Sequence, residues 1–130
     1  MKTAELQTYK KQAFVNITRE VREAVIKSGI KDGIAVVHCP HTTAGITITE
    51  NADPDVCADM LSALDGLVPK IAYRHGEGNS PAHLKAMLVG NSVSVPVCDG
   101  ELMTGVWQGI YFCEFDGPRM RRYYITIGAR

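Results

Sequence analysis

The sequence predicts an α+β fold: a curved, mostly antiparallel, barrel-like sheet with two or three helices. Two observations predict it. Short β-rich runs separated by turn residues dominate the second half of the chain, while apolar residues at helical spacing are confined to an early segment and the middle. No repeats, low-complexity tracts or linkers interrupt the pattern, and 130 residues, 45% of them apolar, suffice for one domain over residues 1–130 that buries its own core.

Taken in order, Glu5 to Tyr9 and Ala13 to Ile17 alternate apolar and polar residues and read as a first strand pair. Thr18 then suits an N-cap. Ile17, Val21, Ala24 and Val25 fall on one helical face, and Gly29 after Ser28 stops the helix. Ile34 to His38 is a β-rich run bounded by Asp32-Gly33 and Pro40, and Ile46 to Thr49 alternates as a half-buried strand does. Asp53-Pro54 starts a helix whose apolar stripe is Val56, Met60, Leu61 and Leu64 and which ends near Asp65-Gly66. Ser80-Pro81 reads as N-cap and first residue of a short helix over Ala82 to Leu88, closed by Gly90. The remaining strands are Ser92 to Val97, Leu102 to Gln108, Ile110 to Phe115 and Tyr123 to Ile127, with turns at Asp99-Gly100 and Asp116-Gly117-Pro118.

Fourteen basic residues balance fourteen acidic ones, so no global field draws in nucleic acid or an anionic membrane, and any anion site must be local. Met1 to Gln12 is polar and charged, unlike a signal peptide, and no apolar run approaches the roughly 20 residues that span a bilayer. The expected compartment is the cytoplasm. Cys39, Cys57, Cys98 and Cys113 form no CxxC pair, and reduced, mostly buried thiols are the reading.

The stretch that carries chemistry runs from His75 to His83. It holds a carboxylate (Glu77), an amide (Asn79) and a hydroxyl (Ser80) between two histidines, with Gly76 and Gly78 loosening the backbone. Each of these polar groups would cost about 1–3 kcal/mol if buried unpaired, so a core segment would not be built this way. Ahead of a helix N-terminus the loop suits an anion, and its two imidazoles could equally hold a divalent metal. The structural alternative is a polar turn with both histidines merely exposed.

Two other loops carry polar constellations, His41-Thr42-Thr43 and Glu50-Asn51-Ala52-Asp53. His41, His75 and His83 together match the ligand count of an open Zn²⁺ site. Glu50 ends a strand, where a carboxylate could bind Mg²⁺ or act as a base; with Glu77 and Asn79 it makes the candidate catalytic set. Asp53 is explained by capping, and His38 by a structural role next to Cys39. Arg119, in the turn Glu114 to Arg119, could clamp phosphate, whereas Arg121 and Arg122 read as a charged hairpin end that keeps the sheet soluble. Trp107 reads as a core or subunit-interface aromatic, with an aromatic wall for a flat ring as the alternative.

His41-Thr42-Thr43-Ala44-Gly45, Glu50-Asn51-Ala52-Asp53-Pro54, Gly78-Asn79 with Ala82-His83-Leu84-Lys85-Ala86, and Gly105 to Gln108 with Glu114 to Arg119 resemble the YjbQ-like family, whose members are also called secondary thiamine-phosphate synthase enzymes. The similarity covers nearly the whole chain. It implies an α+β barrel-like fold, a homotrimer, and the joining of a pyrimidine diphosphate to a thiazole phosphate with release of pyrophosphate. For that reaction Thr42, Thr43, Ser80, Lys85, Arg119 and the glycine-rich backbone would supply phosphate contacts. Mg²⁺ would take oxygen ligands such as Glu50, Asp53 or Glu77, whereas three histidines favour Zn²⁺. The sequence departs from the family pattern at one point: Glu77-Gly78-Asn79 stands where Asp-Gly-Asn is expected, which lengthens the acid's reach by a methylene. A metal-dependent hydrolase and a non-catalytic trimeric metal- or anion-binding protein are the other two readings.

Overall fold

The computed structural model describes residues 1–130. Eight strands and three helices follow one another as β1 (Lys2–Gln7), β2 (Ala13–Asn16), α1 (Thr18–Ser28), β3 (Gly33–His38), β4 (Ala44–Glu50), α2 (Pro54–Leu67), α3 (Ser80–Val89), β5 (Ser92–Cys98), β6 (Glu101–Leu102), β7 (Gln108–Glu114) and β8 (Met120–Ala129). They form a five-stranded sheet in the order β1-β8-β3-β5-β6 and a three-stranded sheet in the order β2-β7-β4. Every pairing is antiparallel. The curled, mostly antiparallel sheet with helices is the predicted α+β class.

Strand period 2 organises the packing. Alternate residues of β7 face two different cores: Ile110 and Phe112 join the main one with Val37, Ile46, Val95 and Ile125, while Tyr111 and Cys113 join Phe115 and the α3 residues Ala82 and Ala86 in a smaller one. Helix α1 closes the main core with Val21, Ala24 and Val25, the predicted face. Inward rows of the strands change chemistry at one end of the stack. The β7 row runs Ile110, Phe112, Glu114 and the β8 row Ile127, Ile125, Tyr123, Arg121, so apolar burial gives way to a buried ion pair.

Several expectations are corrected. The first two strands do not pair with each other: β1 lies on β8 and β2 on β7, in different sheets. The chain crosses between sheets at Thr8, whose N–H donates to the Arg119 carbonyl at 3.0 Å and whose hydroxyl donates to Glu114 at 2.7 Å. Thr18 is the first helical residue rather than the cap. Asn16 does that work, its Oδ1 accepting from the Thr18 N–H at 3.0 Å and hydroxyl at 2.6 Å. At α2, Asp53 caps as predicted, accepting from Asp55 N–H at 2.9 Å, but Met60 faces solvent and only Cys57, Leu61 and Leu64 touch the smaller core. Ser80 opens α3 and Asn79 precedes it as N-cap. Of the predicted strand Leu102–Gln108, only Leu102 remains in β6. Gly105 starts a turn closed by Gln108, whose N–H donates to the Gly105 carbonyl at 3.1 Å and whose Oε1 accepts from the Gly105 N–H at 2.7 Å. That turn leaves Trp107 63% exposed, so it is no core residue. All four cysteines are unpaired, with Cys39 and Cys113 buried. No helix is long and apolar enough to cross a membrane.

Candidate functional site

At the end of the stack where the inward rows turn polar, the segment after β3, the loop before α3 and the start of β8 enclose a pocket of about 400 Å³. Its walls are Pro40, His41, Thr42, Thr43, His75, Glu77, Asn79, His83, Arg119 and Arg121, all polar but for the proline ring. A second recess of about 300 Å³ shares His41, Thr42 and His83 with it and adds Ala44, Ala86 and Met87. A polar compartment therefore adjoins a partly apolar one. The larger concavities elsewhere lie at one end of β3, β5 and β8, along α1, and between β2 and α2, and none of them contains a histidine.

The loop that seats His75 is a turn closed by Gly78, whose N–H donates to the His75 carbonyl at 3.3 Å and whose φ of +75° is the left-handed conformation glycine adopts without cost. The turn brings His75 against His83 in the first turn of α3, with ring centroids 5.5 Å apart and planes at 86°. Glu77 Oε2 lies 3.9 Å from His75 Nε2. Asn79 donates from Nδ2 to Asp116 Oδ2 at 2.9 Å, and its Oδ1 is buried without a partner, an acceptor left over for a ligand or a cation.

His41 stands opposite. Its Nε2 lies 3.1 Å from both the N–H and the carbonyl oxygen of Arg122, so either neutral tautomer is satisfied. Accepting from the N–H leaves a protonated Nδ1, and donating to the carbonyl leaves a Nδ1 lone pair, the arrangement of an imidazole ligand oriented by a backbone carbonyl. Burial, followed by the Arg121 charge, lowers the His41 pKa and keeps the ring neutral at pH 7. His41 through Nδ1, His75 and His83 are the nitrogen donors that could hold a divalent transition metal, and the Asn79 oxygen lies in the same pocket wall. In the arrangement seen, no three His, Cys, Asp or Glu side chains converge on one point.

Under the pocket lies the ion pair. Glu114 is wholly buried and accepts from Thr8 Oγ1 at 2.7 Å, from Arg121 Nε at 2.8 Å, from Arg121 Nη2, and from the Asp116 N–H at 3.1 Å. Burial by itself would raise the carboxyl's pKa, but the bonds from Arg121, Thr8 and Asp116 more than offset it and hold it below the usual value. Arg121 also donates to Thr43 Oγ1 at 2.8 Å. Neither Glu114 nor Arg121 figures among the predicted site residues, and the reading of Arg121 as a solubilising surface charge is overturned. Alternation held the signal: Arg121 shares parity with Tyr123, Ile125 and Ile127, and Glu114 with Ile110 and Phe112.

The pocket thus gathers His41, His75, His83, Glu77, Asn79, Thr42, Thr43 and Arg119 from the predicted set. Three predicted residues lie elsewhere. Lys85 is buried on the other side of α3, where Nζ donates to Asp65 and to Gln12 Oε1. It pins α2 to the body because a buried ammonium needs acceptors, and those two reach it. Ser80 sits at the head of α3 outside the walls. Glu50 closes the far end of β4, about 20 Å from Thr43 at ~3.3 Å per residue, where its Oε2 accepts from the Asp53 N–H at 3.0 Å and its carbonyl from Tyr111 hydroxyl at 3.0 Å.

The family model described as UPF0047 protein YjbQ-like matches residues 2–130. The chain is 53% identical to the UPF0047 protein YugU of Bacillus subtilis, over 98% of each chain, and 50% identical to a UPF0047 protein of Methanocaldococcus jannaschii, over 95% of this chain and 90% of that one. A crystal structure of a conserved YjbQ/UPF0047-family protein from Clostridium acetobutylicum superposes with a TM-score of 0.95 at 53% identity, covering 98% of this chain and all of that one. A YjbQ-like protein of unknown function from Sulfolobus solfataricus gives a TM-score of 0.93 at 32% identity, over 99% and 96%.

Proposed function

The chain belongs to the YjbQ-like UPF0047 family, and from that premise we propose that it is a transferase of the thiamine-phosphate synthase type acting at the histidine-lined pocket. The observation that supports this is the pairing of a polar compartment of about 400 Å³ with a partly apolar recess across a shared wall of His41, Thr42 and His83. A small substrate made of a flat ring and a phosphate has the same division. Ring carbon would rest on Ala44, Ala86 and Met87, and phosphate oxygens on Thr42, Thr43 and Arg119.

In the transfer, the thiazole nitrogen forms a bond to the methylene carbon of the pyrimidine as the bond from that carbon to the pyrophosphate oxygen breaks. Negative charge grows on the departing pyrophosphate, and no proton need move before it leaves. Arg119, half exposed and braced by its bonds to the Asp116 carbonyl at 2.8 Å and carboxylate at 3.1 Å, is placed to meet that charge. Asn79 Oδ1 can accept from an exocyclic amine or a bound water, and Glu77 at the rim can accept a hydrogen bond from the same groups. A divalent metal held by His75 and His83, with His41 through Nδ1, would add Lewis-acid charge stabilisation; nitrogen donors favour zinc over magnesium.

A metal-dependent hydrolase is the second reading, favoured by Glu77 lying within 3.9 Å of His75, where a carboxylate could serve as base. We place the protein in the cytoplasm as a homotrimer. The open edges of both sheets and the exposed Val106-Trp107 turn support association, and a neighbour is the route by which Glu50 could reach a site that its own β4 holds it away from. The test is whether expression restores thiamine-independent growth to a strain lacking its thiamine-phosphate synthase, and whether His83→Ala abolishes the rescue. Rescue undiminished by His83→Ala would remove the pocket from the reaction.

A further inference from the structure

The floor of the pocket holds a cation that the roles above leave unused. Arg121 is 3% exposed and meets the fully buried Glu114 edge-on, Nε donating to Oε1 at 2.8 Å and Nη2 to Oε2. Nη2 gives its other hydrogen to Thr43, 2.8 Å from Oγ1 and 3.3 Å from the carbonyl oxygen. A guanidinium has five N–H groups, and this arrangement engages the one on Nε and the two on Nη2. The two on Nη1 meet no acceptor in the chain. Nor is Nη1 sealed away: the partnerless side-chain atoms that are fully buried are Glu20 Oε2 and Asn79 Oδ1. Since Arg121 lines the polar pocket, Nη1 is the edge it presents there.

We infer that Arg121 is an anion-binding residue of the pocket, receiving a phosphate oxygen on Nη1 while Glu114 and Thr43 hold its opposite edge. The inference rests on the reading of this pocket as a phosphate site. Rigidity is the reason for such a design. A guanidinium already fixed by four hydrogen bonds loses no rotamer freedom when an anion arrives, and its donors need not reorganise. Glu114 balances the charge while the pocket is empty, so no lone cation is buried. Lysine would serve less well, because an ammonium cannot hold Glu114 through two parallel N–H bonds and still present a separate pair of donors to the pocket. Arg119 differs in kind: it is half exposed at the rim and tied to Asp116, suited to catching a ligand that Arg121 then seats. Thr43 assists, since an Oγ1 that accepts from Nη2 keeps its own hydrogen to donate to the same oxyanion.

The test uses inorganic phosphate and ¹⁵N-arginine-labelled protein. Titration should move the Arg121 Nη signals while the Nε–H held by Glu114 stays in place. In calorimetry, Arg121→Lys should weaken phosphate binding about tenfold or more, the scale of losing a charge-assisted hydrogen bond, with Arg19→Lys on α1 as the unaffected control. Should Arg121→Lys fail to fold, the spectrum of the parent decides alone. Phosphate binding that leaves every Arg121 signal unmoved, or that survives Arg121→Lys at parental affinity in a folded protein, overturns the inference while sparing the pocket as an anion site. A parent that binds neither phosphate nor pyrophosphate at millimolar concentration overturns both.

Discussion

The loop from His75 to His83 and the ion pair beneath it are both polar, both part of one pocket, and built on opposite terms. The loop is exposed from His75 to Gly78, closed by one 3.3 Å backbone bond and a left-handed glycine, and spends little stability on those side chains. Glu114 and Arg121 lie in strand rows that are otherwise apolar, where every contact replaces water that neither can recover. Groups at the rim are free to exchange partners with a ligand, whereas those at the floor are tied down so that one edge of one side chain can be presented accurately.

The largest effect that separates them is on folding. Glu114→Gln removes the charge facing a buried guanidinium and should cost about 3–5 kcal/mol, the range for breaking one side of a buried pair, read as a lower urea midpoint. His75→Ala, on the exposed loop, should change stability by less than about 0.5 kcal/mol. Equal losses in the two variants would erase the distinction.

Acid separates the regions next. Glu114 is held below its ordinary 4.5, so its contribution to stability is complete above that pH and drains away as pH falls through the lower folded value. His41 is held below 6.5 by burial and Arg121, so the folded state resists protonating it and stability begins to fall as pH drops below 6.5. Unfolding free energy against pH should therefore decline gently below 6.5 and more steeply below 4.5. In Glu114→Gln the steep part should shrink, and an unchanged profile would show that the pair does not govern acid stability.

How much of this was legible in the chain follows from the same contrast. A loop site announces itself, because glycines, histidines and an N-cap adjacent in sequence are also adjacent in space, and so His75, Glu77, Asn79 and His83 were found together. Helix faces and most strands were legible for the same local reason. The ion pair was not, because Glu114 and Arg121 meet across a turn, and a run of Arg119, Arg121 and Arg122 looks like a solvated end unless parity with Tyr123 and Ile125 is followed inward. Lys85 misled by the same route: its sequence neighbours belong to the site, but its side chain leaves α3 on the face toward Asp65. The first strand pair failed because local alternation cannot say which sheet a strand joins.

Smaller effects sharpen the roles within the loop. His75→Ala and His83→Ala should each lower bound zinc and turnover together, and the double variant should add little, since ligands acting as a unit are not additive. Additive losses would mean that the two rings do not share a ligand. On the hydrolase reading, Glu77→Gln should leave stability and zinc content unchanged while slowing turnover about 10²-fold or more, the scale of a lost general base, whereas the transfer, which removes no proton, should change little; loss of zinc in that variant would make Glu77 a ligand instead.

The most direct measurement supplies purified protein with the pyrimidine diphosphate and the thiazole phosphate and follows thiamine phosphate and pyrophosphate together. The pocket reading predicts one pyrophosphate released for each thiamine phosphate formed, with both lost in His83→Ala while the melting temperature holds. No product from the metal-replete parent, or equal product from a folded His75→Ala/His83→Ala double variant, would contradict it.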